Sequence, residues 1–395
     1  MTAALALVPD APPAIDWPAL TDSLREGGTR HDRDGSFPFD NLARLHAAGL
    51  LALTVPVALG GQGAGLVRSA EALGWVAQAC PSTALILSMQ CSKHAALARG
   101  SHYTPALRER LGRDAVRHGA LLNSIRVEPD LGSPTRGGLP ATIARRVPEG
   151  WRITGRKIYS TGAPGLAWFE TFCRTDEDVP RVGPFLVPAG APGLRIEETW
   201  DHLGLRASGS HDVVLEDVLV PADHAGTLTV PGAGPPPRED TQAAWNAAQM
   251  GAIYNGVAIA ARDWIIRFLH DRVPSNLGAP LASLPRAHET VGEVASLLAV
   301  NARLVAQIAA ETDAGTPPSS VESGVLKVTI TRNAVEAVRL AVSLAGNHAL
   351  ARGNPLERHW RDVQCGLVHA PQADAAFQAA GRAALGPARP NPDKV

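Results

Sequence analysis

"WDHLGLRASGSHDVVLEDVLVP", Trp200 to Pro221, passes from a turn rich in Gly, Ser and Asp into a run of valines and leucines that stops at proline. β-Branched residues between such punctuators read as a strand. Upstream the same grammar repeats: "WRITGRKIYS", "WFETFCRT", "PFLVPA" and "LRIEET" are short runs bounded by Gly, Pro and Asp. Together they predict a middle β domain, a barrel or sandwich, over residues 121–230.

On either side the apolar spacing changes to three and four residues. It does so in "FDNLARLHAAGLLAL" and "SAEALGWVAQACPSTALILSMQCSKHAALA", which predict an N-terminal helical domain over 17–120. The Pro- and Gly-rich stretch 231–240 reads as a linker. Beyond it "TQAAWNAAQMGAIYNGVAIAARDWIIRFLHDR", "PRAHETVGEVASLLAVNARLVAQIAAETDAG" and "SSVESGVLKVTITRNAVEAVRLAVSLAG", with one terminal helix, predict a C-terminal four-helix bundle over 241–386. Residues 1–16 and 387–395 read as tails. The fold class is therefore α+β, in the order helical, β, helical.

The charges balance, with 37 Lys and Arg against 38 Asp and Glu, so no basic field exists to hold nucleic acid. The four cysteines, Cys80, Cys91, Cys173 and Cys365, form no CxxC pair, which argues against a metal knuckle and for a reducing, cytoplasmic setting. Charges punctuate every apolar run, so no membrane span is expected. The glycine-rich "VPVALGGQGAGL" has Gly61 and Gly63 but Leu66 where a dinucleotide fingerprint needs its third glycine, and reads as a turn.

The opening stretch resembles the signature that closes the middle domain of the acyl-CoA dehydrogenase superfamily. "VEPDLGS" and "GWRITGRKIYSTGA" resemble its two flavin-contacting segments, and "NPLERHWRDVQ" resembles its terminal helix. The resemblance implies a bound FAD or FMN and a homotetramer or homodimer whose neighbouring subunits complete the site. By position, Ser124, Arg126, Val127, Gly132 and Ser133 would line the flavin and the substrate entrance, and Tyr159, Ser160 and Thr161 would face the isoalloxazine ring. Without the motif, Ser160 and Thr161 read as strand-end turn residues. Arg272 matches the arginine that meets the pyrophosphate of a neighbour's FAD, and reads otherwise as an exposed helix-end arginine. On the adenine side, in "LAGNHALARGNP", Asn347 follows Gly346 where the family has a second glycine.

Dehydrogenases of this family need a carboxylate opposite the flavin to take the proton next to the thioester. Counting on from Arg361 and Asp362, the usual position falls at Ala370. The alternative, on the first helix after the linker, falls at or near Asn246, in a segment with no acid between Thr241 and Arg262. Both positions lack an acid, and Glu239 or Asp240 would serve only if the linker folds back.

"RDVQCGLVHAP", "TGA" and "SGSHDV" look more like the branch of flavin-dependent monooxygenases that includes dibenzothiophene monooxygenase. Those enzymes use reduced flavin from a separate reductase and O2, through a C4a-hydroperoxyflavin. That chemistry asks for donors in a dry pocket, and the candidates are His369, His94 and Ser160. His94 lies one helical turn from Gln90 and reads otherwise as a helix histidine beside Lys93. His369, just before Pro371, reads otherwise as a helix C-terminal residue. His211 reads as a strand-start residue and His359 as outward-facing, and Asp362 is expected to pair with an arginine.

Three functions compete: a two-component monooxygenase of a small molecule, an acyl-CoA or acyl-carrier dehydrogenase serving an electron-transfer flavoprotein, and a non-catalytic flavin-fold subunit.

Overall fold

The computed structural model describes residues 15–100, 102–131, 138–232 and 239–386. Five helices come first: α1 (Trp17–Asp34), α2 (Phe39–Ala47), α3 (Leu66–Ala79), α4 (Pro81–Ala98) and α5 (Pro105–His118). The long apolar run of residues 69–98 is thus two helices. Pro81 cannot donate to a preceding turn and sits at the first position of α4, while Cys80 before it is extended (φ −148°, ψ 96°). α4 is buried on nearly every face, with Ser82, Thr83, Ser88 and Gln90 among its buried residues. The glycine-rich stretch is a turn, with Gly60 and Gly63 at positive φ.

The middle of the chain is a seven-stranded sheet: β1 (Leu121–Ile125), β2 (Ile143–Val147), β3 (Gly150–Lys157), β4 (Leu166–Thr175), β5 (Val182–Pro188), β6 (Leu194–Glu197) and β7 (Asp212–Val220). Its order is β1-β4-β2-β3-β7-β6, with β5 added to β4. β4 is the hub. β5 runs antiparallel along one edge, and on the other edge β1 pairs parallel with Leu166–Thr171 and β2 with Arg174 and Thr175. The signature strand β7 lies between β3 and β6, antiparallel to both. Inward residues such as Ile153, Phe169, Phe185 and Val213 are fully buried, each contributing roughly 1.5–3 kcal/mol of transfer free energy.

α6 (Asp240–Asp271), α7 (Pro285–Asp313), α8 (Ser320–Ala345) and α9 (Pro355–Val368) form the helical bundle, and α10 (Ala373–Leu385) packs on α8. The terminal stretch is therefore two helices, parted at Pro371. α7 is long and apolar enough by length and composition to cross a membrane; in this fold it packs along α6 and α8. No group of three or more His, Cys, Asp and Glu that could hold a metal gathers among the described residues.

α9 joins all three regions. The Arg361 guanidinium donates to both carboxylate oxygens of Asp32 on α1, to Glu357 on its own helix, and to the Leu203 carbonyl beside the sheet. Arg358 donates to the Ala79 carbonyl at the end of α3. Asp362, expected to pair with an arginine, instead accepts the Leu205 N–H at 2.7 Å, and it is Arg361 that holds the acids. His359, expected to face outward, is 1% exposed. Leu356, His359 and Val363 fall on one stripe of the helix, and that stripe faces in. A second tie closes the molecule: the Asp313 carboxylate at the end of α7 accepts the Leu66 and Val67 N–H groups at the start of α3.

Candidate active site

Two segments come together where β1 and β3 end. The Ile158 N–H donates to the Val127 carbonyl, and the Asn123 side chain donates to the Thr161 carbonyl while its oxygen accepts the Ser124 N–H. Beneath them Lys157 and Glu128 form a fully buried ion pair, 2.6 Å apart. Glu128 also accepts Ala141 N–H and both the N–H and hydroxyl of Thr142, and Lys157 reaches the Phe172 carbonyl. These bonds hold the Glu128 carboxyl below its ordinary range against the opposing effect of burial. Both residues stand inside the two recognised motifs, yet neither stood out as functional by sequence. Their role is to hold the two segments at a fixed spacing.

On that base, the segments carrying Ser124, Val127, Tyr159, Ser160 and Thr161 lie side by side. The Ser160 N–H donates to the His211 carbonyl, and the His211 ring accepts the Trp200 N–H, so His211 is a structural residue at the start of β7. The Thr161 hydroxyl meets Ser210 at 3.0 Å. The Ser160 hydroxyl is buried and has no partner among the described residues. Tyr159 is held at φ +56° with its ring 55% exposed, edge-on to the stacked pair Trp200 and His202. A positive φ at a tyrosine costs about 1–3 kcal/mol and persists where the surroundings impose it. An orphan hydroxyl beside an exposed ring is the complement of a flat heterocycle with hydrogen-bonding edges, so these residues fit a flavin. The Arg126 guanidinium lies over the Phe172 ring at 4.5 Å, and behind it Lys93 of α4 pairs with buried Glu170 of β4. Gly132 and Ser133 lie outside the described residues.

A second group gathers at the end of α9. His369 Nδ1 is 2.9 Å from the hydroxyl of Tyr254 on α6. The Lys327 ammonium on α8, 1% exposed, donates to the carbonyls of Gly366, His369 and Pro371. Burial lowers Lys327 to about 8. Burial, and then the Lys327 charge, push the His369 imidazole down to about 4, so it is neutral at physiological pH. The Asn246 amide donates to the Ala370 carbonyl at 2.9 Å. The two positions at which the count along the motifs expects the family's acid are therefore neighbours in space, and they carry an amide and a methyl group. Asp240 is committed elsewhere, to the Ser320 N–H. Tyr254 and Lys327 were not anticipated, since no local pattern links α6 or α8 to a turn more than forty residues downstream.

His94 stands apart. It is 2% exposed, its Nε2 has no partner among the described residues, and burial with the Lys93 charge lowers it to about 4. It lines a cavity of about 200 Å³ with Pro56, Leu59, Pro105 and Arg108, on the α5 side of α4, and none of the residues expected to face a flavin borders that space. Gln90, expected to share its face toward a pocket, instead ties the Leu51 and Ala120 carbonyls and the Leu122 N–H together. His94 is therefore not part of this constellation. Arg272 caps the end of α6 in an exposed position, its side chain without a hydrogen-bond or ion-pair partner among the described residues.

Models of the acyl-CoA dehydrogenase N-terminal, middle and C-terminal domains match residues 20–111, 126–218 and 248–373. YdbM of Bacillus subtilis is 33% identical over 362 residues, covering 91% of this chain and 92% of that protein. L-evernosamine nitrososynthase of a Micromonospora species is 32% identical over 380 residues, covering 89% and 85%. The structure of KijD3 in complex with FMN and dTDP-3-amino-2,3,6-trideoxy-4-keto-3-methyl-D-glucose superposes with a TM-score of 0.74 at 32% identity, over 95% of this chain and 93% of that one.

Proposed function

The chain belongs to the acyl-CoA dehydrogenase family, a flavoprotein family using FAD or FMN, and from that premise we propose that it is a monooxygenase acting on a small molecule with reduced flavin and O2. The observation that carries this reading is the pair Asn246 and Ala370. With no carboxylate at either position, the chain has no group there to take a proton from a carbon acid, and the neutral imidazole of His369 stands beside the vacancy. The likeness to a nitrososynthase supports the same direction, because a nitroso group is made by adding oxygen to nitrogen. A small amine-bearing metabolite is accordingly the substrate class to test first.

The flavin supplies two electrons with which O2 is divided, one atom going to substrate and the other to water. The protein's part is to hold and shield. The Ser160 hydroxyl, without a partner among the described residues, would hydrogen-bond the ring edge, and Tyr159 would lie against the ring. Arg272 would meet the phosphate of a flavin in a neighbouring copy, in a homotetramer or homodimer, and a separate flavin reductase would deliver the reduced cofactor.

The test is to mix the protein with reduced FMN or FAD, add O2, and follow absorbance, hydrogen peroxide and product with an amino-sugar nucleotide and with heteroaromatic compounds. Oxygenated product is expected. Bleaching of a bound yellow flavin by an acyl-CoA under anaerobic conditions would establish a dehydrogenase instead, and failure to bind flavin in either redox state would leave a non-catalytic subunit.

A further inference from the structure

Tyr254 sits on α6 with its ring buried, and its hydroxyl has a single partner among the described residues, Nδ1 of His369. The ring lies flat against the backbone of α9 because position 366 is glycine: a Cβ there would stand only 3.0–3.2 Å from three ring carbons. The segment carrying His369 is held from two other sides, by the three carbonyl bonds from Lys327 and by the amide of Asn246. The imidazole is therefore fixed at its own Nδ1 and through its backbone, while Nε2 makes no hydrogen bond among the described residues.

A phenol has one hydrogen to give. Burial raises the Tyr254 phenol well above its ordinary range, so it keeps that hydrogen, and a buried O–H without an acceptor bears its full desolvation cost. The acceptor within reach is Nδ1. A neutral imidazole that accepts at Nδ1 must carry its own hydrogen on Nε2. The buried Lys327 charge, with no acidic partner among the described residues, disfavours a second proton on the ring.

We propose that Tyr254 is a positioning residue that fixes His369 as the Nε2–H tautomer, so that the site offers a hydrogen-bond donor at the turn where a dehydrogenase carries its base. The inference rests on the oxygenation reading above for its catalytic meaning, although the tautomer itself does not. The donor suits an oxygen atom of the substrate or of the reacting dioxygen. Nε2 cannot serve as a base, since it already carries a hydrogen and its remaining electron pair belongs to the aromatic ring. If Nε2 gave up its hydrogen, Nδ1 would take the Tyr254 hydrogen and leave a buried phenolate, so the group orients and donates a hydrogen bond without net proton loss.

The experiment is heteronuclear NMR on the full chain labelled in histidine, at neutral pH, with the His369 signal identified by its loss in His369→Gln. The expected wild-type pattern is a protonated Nε2 and an unprotonated Nδ1. In Tyr254→Phe the two nitrogens should exchange the hydrogen and average. A wild-type ring that carries its hydrogen on Nδ1, or that is charged, overturns the proposal without reference to any variant, and so does a Tyr254→Phe ring unchanged from wild type. In the oxygenation assay, Tyr254→Phe should bind flavin and consume O2 normally while product per reduced flavin falls about tenfold and hydrogen peroxide rises to match. Unchanged product yield in a ring whose tautomer has changed would sink the catalytic part of the proposal. Absence of oxygenated product from the wild type would defeat the functional reading while the NMR still decides the tautomer.

Discussion

Asp362 is a buried acid whose oxygen accepts one backbone N–H, and burial, partly offset by the Arg358 charge, pushes it up to about 6 from 3.8. Between those two values the folded chain holds a proton that the unfolded chain has released. The unfolding free energy therefore falls as pH rises through that window, by about 3 kcal/mol in all. Asp362→Asn keeps an oxygen for the Leu205 N–H and cannot ionise. Its melting temperature should match wild type near pH 4 and exceed it near pH 8; equal values at both would remove burial as the cause. His94 and His369 act in the opposite sense, since each is lowered to about 4 and loses its contribution as pH falls below the ordinary histidine value. Single residues were the least legible scale. Ser160, Thr161 and Tyr159 could be singled out only because a motif fixes their place. His359 was misread by its charged neighbour when Leu356 and Val363 already marked its stripe as apolar, and His94 was misread because helical spacing tells which residues share a face but not what that face meets.

At the level of elements, the strand ends that carry the candidate flavin site depend on the Lys157 and Glu128 pair. Lys157→Met leaves a carboxylate buried without its cation, and should lower stability by about 3–5 kcal/mol in urea titrations. The double variant Lys157→Met with Glu128→Gln removes both charges and keeps an acceptor for Thr142, and should recover most of that loss. A double variant no more stable than the single one would show that geometry, rather than charge, holds the segments. The strands and long helices were readable because their periods of two and near four are written locally. The breaks were less so. Cys80 leaves the helical conformation for one residue only, so the apolar spacing runs on across Pro81 as though nothing had happened. The same holds at the end of α9, where the sequence marks Pro371 as a stop without showing that α10 begins two residues later.

For the whole molecule, the sequence order of helical, β and helical regions was enough to indicate the architecture, but the bonds that join the regions span distances no local pattern can encode. Asp313 meets Leu66 across 247 positions and Arg361 meets Asp32 across 329. The proposed reach of Arg272 to a flavin in a neighbouring copy would be of the same kind. Arg272→Ala should leave the melting temperature of the flavin-free protein within about 0.5 kcal/mol equivalent of wild type, since the side chain touches nothing described, and weaken flavin binding in a fluorescence titration about tenfold or more. Unaltered affinity would confine the arginine to its own helix end. The junction at α9 has a consequence in time. A ribosome adding roughly 5–20 residues each second releases α1 tens of seconds before Arg361 exists. Through that interval Asp32 faces water, and once Leu205 is made its N–H waits for a carboxylate, so although Asp313 can already hold the end of α7 to the start of α3, the tie that binds the sheet and α1 together closes only with α9.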